Sequence, residues 1–164
     1  KVKMEQILSS VFWGSFLLLI ISGISEGGCP DGYIRHDNSC YEEFNIVASW
    51  AEAQLYCETF GANLVKVGDL SEHSFIKSLL GRMTPAAFKP GKFWIGGTNL
   101  LTNGTWMWVP GAEQMSVTLW APGEPDMNSE KRCIALDFSQ AFLWFSATCE
   151  NKYNFLCELS LNSR

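Results

Sequence analysis

The sequence predicts one α+β domain that is exported and closed by disulfides. Three observations support this prediction. Six cysteines follow a short apolar leader, and two helical patterns lie among short strand-like runs. One long stretch shows neither the helical nor the strand spacing of apolar residues. An even number of cysteines behind a hydrophobic N-terminus is typical of proteins in an oxidising compartment. The count alone permits many pairings and does not choose among them.

Residues 1–25 have the order of a secretory signal peptide. Lys1 and Lys3 give a basic start, an apolar centre over 11–21 follows, and small residues end the segment. This order predicts a signal peptide over 1–25, with cleavage as late as residue 27. The alternative is a transmembrane anchor, since the uncharged run approaches the roughly 20 residues that span a bilayer. The short apolar centre favours the signal peptide, and therefore a secreted chain without membrane contact after cleavage.

The charge balance excludes some partners. The chain has 17 acidic and 12 basic residues, a net charge of −5. Nucleic acids and anionic membranes need clustered positive charge, so we exclude them as main partners. His36 and His73 are lone histidines, and no nucleophile, base and acid form a recognisable set. We therefore expect a binding protein and not an enzyme.

The sequence of the first half of the domain predicts a hairpin, a helix, a strand and a second helix. Aromatic and turn residues over 32–44 indicate the hairpin. The capping-box sequence Ser49–Glu52 starts a helix that ends at Gly61. A short strand over 63–67 and a helix over 71–81 follow.

The sequence of the second half predicts short strands around a long loop. The loop covers 110–132, where glycine, proline, asparagine and serine collect, and loops of this length are usually functional or disordered. Its end, Ser129–Arg132, is predicted as a solvated turn. The tryptophans are predicted to lie in the core, at positions 50, 94, 106, 108 and 120. The strands are predicted over 93–97, 106–108, 134–136, 142–144 and 153–156.

Several motifs over residues 29–158 occur together in one family. They are the hairpin cysteines, the capped helix with Cys57, Trp94-Ile95-Gly96-Gly97, Gly104-Thr105-Trp106-Met107-Trp108, Trp120-Ala121-Pro122-Gly123-Glu124-Pro125-Asp126, Cys133, Cys149 and Phe155-Leu156-Cys157-Glu158. In this combination the sequence resembles the C-type lectin-like domain in its long form. The resemblance implies two helices flanking small antiparallel sheets, with the long loop outside, and a short tail over 159–164. It also implies the disulfides Cys29–Cys40, Cys57–Cys157 and Cys133–Cys149.

The same resemblance implies a site for Ca²⁺ and sugar in the long loop. Glu124 and Asp126 match the acidic pair that flanks a cis proline in sugar-binding members. The acid expected before Cys133 is replaced by Lys131, so the neighbouring Glu130 is the candidate there. The family triplet Trp-Asn-Asp reads Trp144-Phe145-Ser146, which leaves Ser146 as a weak neutral ligand. Ca²⁺ takes about 6–8 oxygens, so the predicted cofactor is a weakly held Ca²⁺.

The family's accessory Ca²⁺ site also departs from its pattern. Asn99, Asn103 and Arg132 occupy positions where acids are expected. Asn103-Gly104-Thr105 is in addition a predicted N-glycosylation sequon.

The expected function is a secreted module that binds a glycan or glycoprotein through the loop around Glu124 and Asp126. Glu-Pro-Asp is a hybrid of the mannose-type and galactose-type motifs and leaves the sugar open. The alternative is a Ca²⁺-independent module for a protein or mineral surface on the same fold, which uses Phe145 and the acidic surface.

Overall fold

The structure is a computed structural model that describes residues 28–82, 91–102, 104–126 and 128–161. The predicted leader, the sequon residue Asn103 and the last part of the predicted tail lie outside these ranges. Among the described helices, none is long and apolar enough to cross a membrane.

The first half contains the predicted hairpin and both predicted helices. Ser49 and Glu52 form the capping box, in which the Ser49 N–H donates to the Glu52 carboxylate at 2.7 Å. The predicted strand over 63–67 pairs as a strand only at its first two residues. The elements are β1 (Ile34–His36), β2 (Ser39–Ala48), α1 (Trp50–Thr59), β3 (Asn63–Leu64) and α2 (Leu70–Arg82).

The second half contains the predicted strands, and the long loop is more ordered than the sequence indicates. A two-residue strand lies within the predicted loop, and Trp120 forms an isolated bridge with Trp144. The last strand extends two residues past the predicted domain end at Glu158. The elements are β4 (Lys92–Thr98), β5 (Met107–Trp108), β6 (Glu113–Gln114), β7 (Lys131–Asp137), a 3₁₀ turn (Phe138–Gln140), β8 (Leu143–Thr148) and β9 (Tyr153–Ser160).

The strands of the described residues form one connected sheet in which the two ends of the domain meet. β9 pairs antiparallel with β2, with Cys157 opposite Glu42, and parallel with β4, with Phe155 opposite Trp94. β4 continues the sheet through β7, and β7 pairs with β8. The β4–β9 pair makes this a mixed sheet, whereas the sequence predicts antiparallel sheets.

Three disulfides close the domain in the pattern that the resemblance implies: Cys29–Cys40, Cys57–Cys157 and Cys133–Cys149. The second bridge spans 100 residues and joins α1 to β9. In the chain-entropy model such a long loop contributes roughly 4–5 kcal/mol, more than a short loop does.

The core has two apolar clusters on either side of the sheet. Trp50, Trp94 and Trp108 are buried, as predicted. Trp106 and Trp120 are only half-buried and pack on the edge of the first cluster, so the prediction that they lie in the core is wrong. Both precede or belong to the long loop, and their indole rings pack edge-on against each other with centroids 5.1 Å apart.

Gly96 lets β4 approach β3 closely. Its N–H donates to the Val65 carbonyl at 2.8 Å. A Cβ at this position would lie 2.8 Å from the Leu64 carbonyl oxygen and 3.1 Å from that of Val109. Both contacts are with backbone atoms, which cannot move aside without disturbing their strands.

We expect Gly96→Ala to lower the free energy of unfolding by about 2 kcal/mol or more, because the methyl group overpacks a backbone contact. Gly81→Ala is the matched control, since no described atom lies within 4 Å of a Cβ at this helical position. The control should raise stability by up to about 1 kcal/mol. Urea unfolding measures both, and equal midpoints for the two variants would contradict the packing argument.

Candidate functional site

The long loop is fastened to β8 just before its acidic residues. The Ala121 N–H donates to the Trp144 carbonyl at 2.8 Å, and the Trp144 N–H donates to the Leu119 carbonyl at 2.8 Å. The Trp120 indole packs edge-on against Trp144, with ring centroids 5.8 Å apart. These contacts fix the point at which the loop turns towards Glu124.

Glu124 is held by three donors on one carboxylate oxygen. Its Oε2 accepts from the Ser146 N–H at 2.9 Å, from the Ser146 hydroxyl at 2.5 Å and from the Asp126 N–H at 2.9 Å. Ser146 is 1% exposed. The Glu124–Pro125 peptide is cis, as the resemblance implies. The buried serine therefore acts as a donor that positions the glutamate, whereas the sequence predicts it as a weak metal ligand.

Asp126 is paired with Lys131. The Lys131 ammonium lies 2.6 Å from Asp126 Oδ2, and the Asn128 N–H donates to Oδ1 at 3.0 Å. These two contacts, first the lysine, hold the pKa of Asp126 below its usual value. The hydrogen bond to Asp126 likewise raises the pKa of Lys131, and the charge of Glu124 adds to the effect. In the sequence, Lys131 is a cation where a metal site needs an acid; in the structure it pairs with Asp126, a predicted metal ligand.

The structure joins three of the four predicted site residues. Glu124, Asp126 and Ser146 are linked by hydrogen bonds. Glu130 is exposed, and its N–H donates to Asn128 Oδ1 at 3.0 Å. The described residues contain no group of three or more His, Cys, Asp or Glu side chains that could hold a metal ion.

The residues present do not fit a Ca²⁺ ion. Ca²⁺ takes about 6–8 oxygens, preferably charged ones. Three N–H or O–H donors converge on Glu124 Oε2, and an ammonium group occupies Asp126 Oδ2. A metal at this position would have to displace the Lys131 ammonium. Around Glu124 Oε2 it would meet N–H and O–H donors, whereas a metal needs oxygen atoms that accept.

Arg132 lies at a position where the family's accessory Ca²⁺ site has an acid, and it too is bonded to a neighbouring residue. Its Nε and Nη2 donate to the Asn99 side chain and carbonyl, both at 3.1 Å. The register moves from Lys131 opposite Thr148 to Cys133 opposite Ala147, which makes Arg132 the extra residue of a β-bulge. The predicted solvated turn is confirmed at Ser129 and Glu130, which are exposed, whereas Lys131 and Arg132 are half-buried and start β7.

A cavity of about 440 Å³ opens beside Glu124 and Lys131. On its other side the Lys92 ammonium lies 3.6 Å from Asp137 and 4.3 Å from the centre of the Phe145 ring. Phe145 also packs against Tyr153 and is half-buried. Further polar groups in the wall are Gln140, Thr148 and Asn151.

Sequence reasoning missed this far wall of the cavity. Lys92, Asp137 and Tyr153 belong to β4, β7 and β9, and their isolated positions carry no motif. Only the sheet order brings them beside the loop, so no local sequence signal identifies them.

We expect Ser146→Ala to lower the free energy of unfolding by about 1–3 kcal/mol, because it removes a buried hydroxyl that both donates to Glu124 and accepts from Asp126. Ser74→Ala is the control: it removes an exposed hydroxyl bonded within α2 and should change stability by less than about 0.5 kcal/mol. Urea unfolding gives both values. A loss no larger than that of the control would show that the serine does not hold the loop.

Comparison with known proteins agrees with this fold. The Lectin C-type domain family matches residues 46–159. Perlucin of Haliotis laevigata is 33% identical over 134 residues, covering 80% of this chain and 83% of its own, and the galactose-specific lectin nattectin of Thalassophryne nattereri is 30% identical over 134 residues, covering 81% of each. The crystal structure of human lithostathine superposes with a TM-score of 0.75 at 28% identity, covering 83% of this chain and 93% of its own. The chain belongs to the C-type lectin domain family.

Proposed function

We propose that this chain is a secreted, non-catalytic module that binds a glycan in the cavity beside Glu124. The observation that carries the proposal is the cavity itself, in which Glu124 of the Glu-Pro-Asp sequence lies beside donors, acceptors and aromatic rings. The name of nattectin describes a galactose-specific lectin, and that likeness supports the same class of ligand.

The chemistry of the wall suits a neutral, hydroxyl-rich ligand. Its charged groups are two lysines and two acids, Lys92 and Lys131 against Glu124 and Asp137. This balance gives no strong preference for an anion or a cation. Sugar hydroxyls both donate and accept, so carboxylate, ammonium and amide groups in one cavity can bond to neighbouring hydroxyls.

The alternative of a protein- or mineral-binding module relies on the acidic surface and on Phe145 as an exposed aromatic. The ring is half-buried between the Lys92 ammonium and Tyr153, with centroid distances of 4.3 Å and 6.0 Å. This packing reduces the apolar surface that the alternative would use. The glycan proposal therefore has the stronger support.

A glycan array probed with the refolded, disulfide-bonded domain tests the proposal, once with Ca²⁺ and once with EDTA. We expect Gln140→Ala to weaken retention of the bound glycan by about 3- to 10-fold, the value of one lost hydrogen bond. Gln140 is exposed at the cavity wall, so the variant should fold normally.

Gln114→Ala is the matched control, because Gln114 is an exposed glutamine on β6 that does not line the cavity. Equal retention by both variants would place the ligand elsewhere. Retention of no glycan in either condition would contradict the proposal and favour the protein- or mineral-binding alternative.

A further inference from the structure

Lys131 is held in place from both its backbone and its side chain. Its N–H donates to the Asn128 carbonyl at 3.0 Å, and the residue pairs with Thr148 at the start of β7. The ammonium lies 2.6 Å from Asp126 Oδ2 and faces the same cavity as Glu124. A lysine on a free loop end would not be fixed in this way.

Lys131 lies near two carboxylates, that of Asp126 in direct contact and that of Glu124 in the wall of the same cavity. Glu124 and Asp126 are joined through the Asp126 N–H, which donates to Glu124 Oε2 at 2.9 Å. Like charges repel, and a nearby cation reduces the repulsion. Lys131 supplies that cation from within the chain, with its ammonium 2.6 Å from Asp126 Oδ2.

We propose that the Lys131 ammonium takes the place of Ca²⁺ in this site, so that the loop is ordered and binds its ligand without metal. The ammonium has three N–H donors, of which one is used by Asp126. Within the described residues, all three donors to Glu124 converge on Oε2 and none on Oε1.

The part of this inference that concerns the ligand rests on the proposed function. Two neighbouring sugar hydroxyls could accept from Lys131 Nζ and donate to Glu124 Oε1, which reproduces with hydrogen bonds what a metal does by coordination. The ligand class is thus a glycan with adjacent free hydroxyls. The ordering of the loop does not depend on the glycan and can be tested without it.

Thermal unfolding in EDTA and in Ca²⁺ tests the metal-free loop. We expect the wild-type unfolding temperature to change by less than about 1 °C in about 10 mM Ca²⁺, because the residues that the structure describes leave no site open to the ion. Lys131→Asp replaces the ammonium by a third carboxylate, and we expect its unfolding temperature to rise by about 3 °C or more in the same Ca²⁺, as for a millimolar extracellular site.

Lys77→Asp is the control, because it makes the same charge change at an exposed position on α2 and should show no Ca²⁺ response. Stabilisation of the wild type by Ca²⁺ would overturn the inference. Failure of Lys131→Asp to respond would also overturn it, since the lysine would then not stand at the position of an ion.

Glycan retention tests the direct role of the ammonium. Lys131→Met, which has a similar length and no charge, should weaken retention in EDTA by about 10-fold or more, and Lys131→Arg should restore part of it. Retention that requires Ca²⁺ would overturn the inference and leave the proposed function intact. If no glycan is retained while the unfolding temperatures follow the expected pattern, the proposed function fails and the metal-free loop stands.

Discussion

Strand β9 is the constraint on which the rest of the domain depends. It pairs with β2, β3 and β4, and its Cys157 is bonded to Cys57 of α1. Four consecutive residues at its centre, 154–157, are buried. Because this strand closes the sheet against elements from the start of the domain, the sheet does not depend on regular structure in the long loop between β5 and β7. The entropic cost of a long connection grows slowly with its length, so the fold tolerates an irregular loop.

The loop itself is ordered by polar contacts with β8 and β7 and not by regular structure. Glu124 and the buried Ser146 form the inner part of these contacts, and Asp126 with Lys131 forms the outer part. Hydrogen bonds to a charged acceptor are roughly twice as strong as those between neutral groups. The same acids that a metal site would use are therefore the acids that hold the loop, which connects its order directly to its recognition chemistry.

The sequence predicts the elements with strong local signals and misses what depends on sheet order. The capping box at Ser49 and the glycine that follows α1 are local signals, and both helices form where predicted, although α2 continues one residue past the predicted end at Gly81. The disulfides and the Glu-Pro-Asp loop follow from motifs. In the sequence Lys131 looks unfavourable for a metal site, because its pairing with Asp126 depends on the geometry of the turn between them. The half-burial of Trp106 depends on how the loop folds back. Lys92 and Tyr153 reach the cavity only through long-range strand pairing.

The bulge at Arg132 acts as a spacer between two neighbouring cations. Its extra residue lets the Arg132 carbonyl accept from the Thr98 hydroxyl at 2.7 Å while Lys131 stays beside Asp126. One step along a strand is about 3.3 Å, which is longer than the contact between the ammonium and the carboxylate. Without that single residue, the Lys131 ammonium would no longer lie beside Asp126, or the Arg132 guanidinium would no longer lie beside Asn99. The length of this short segment, more than its composition, thus determines which charge meets which partner.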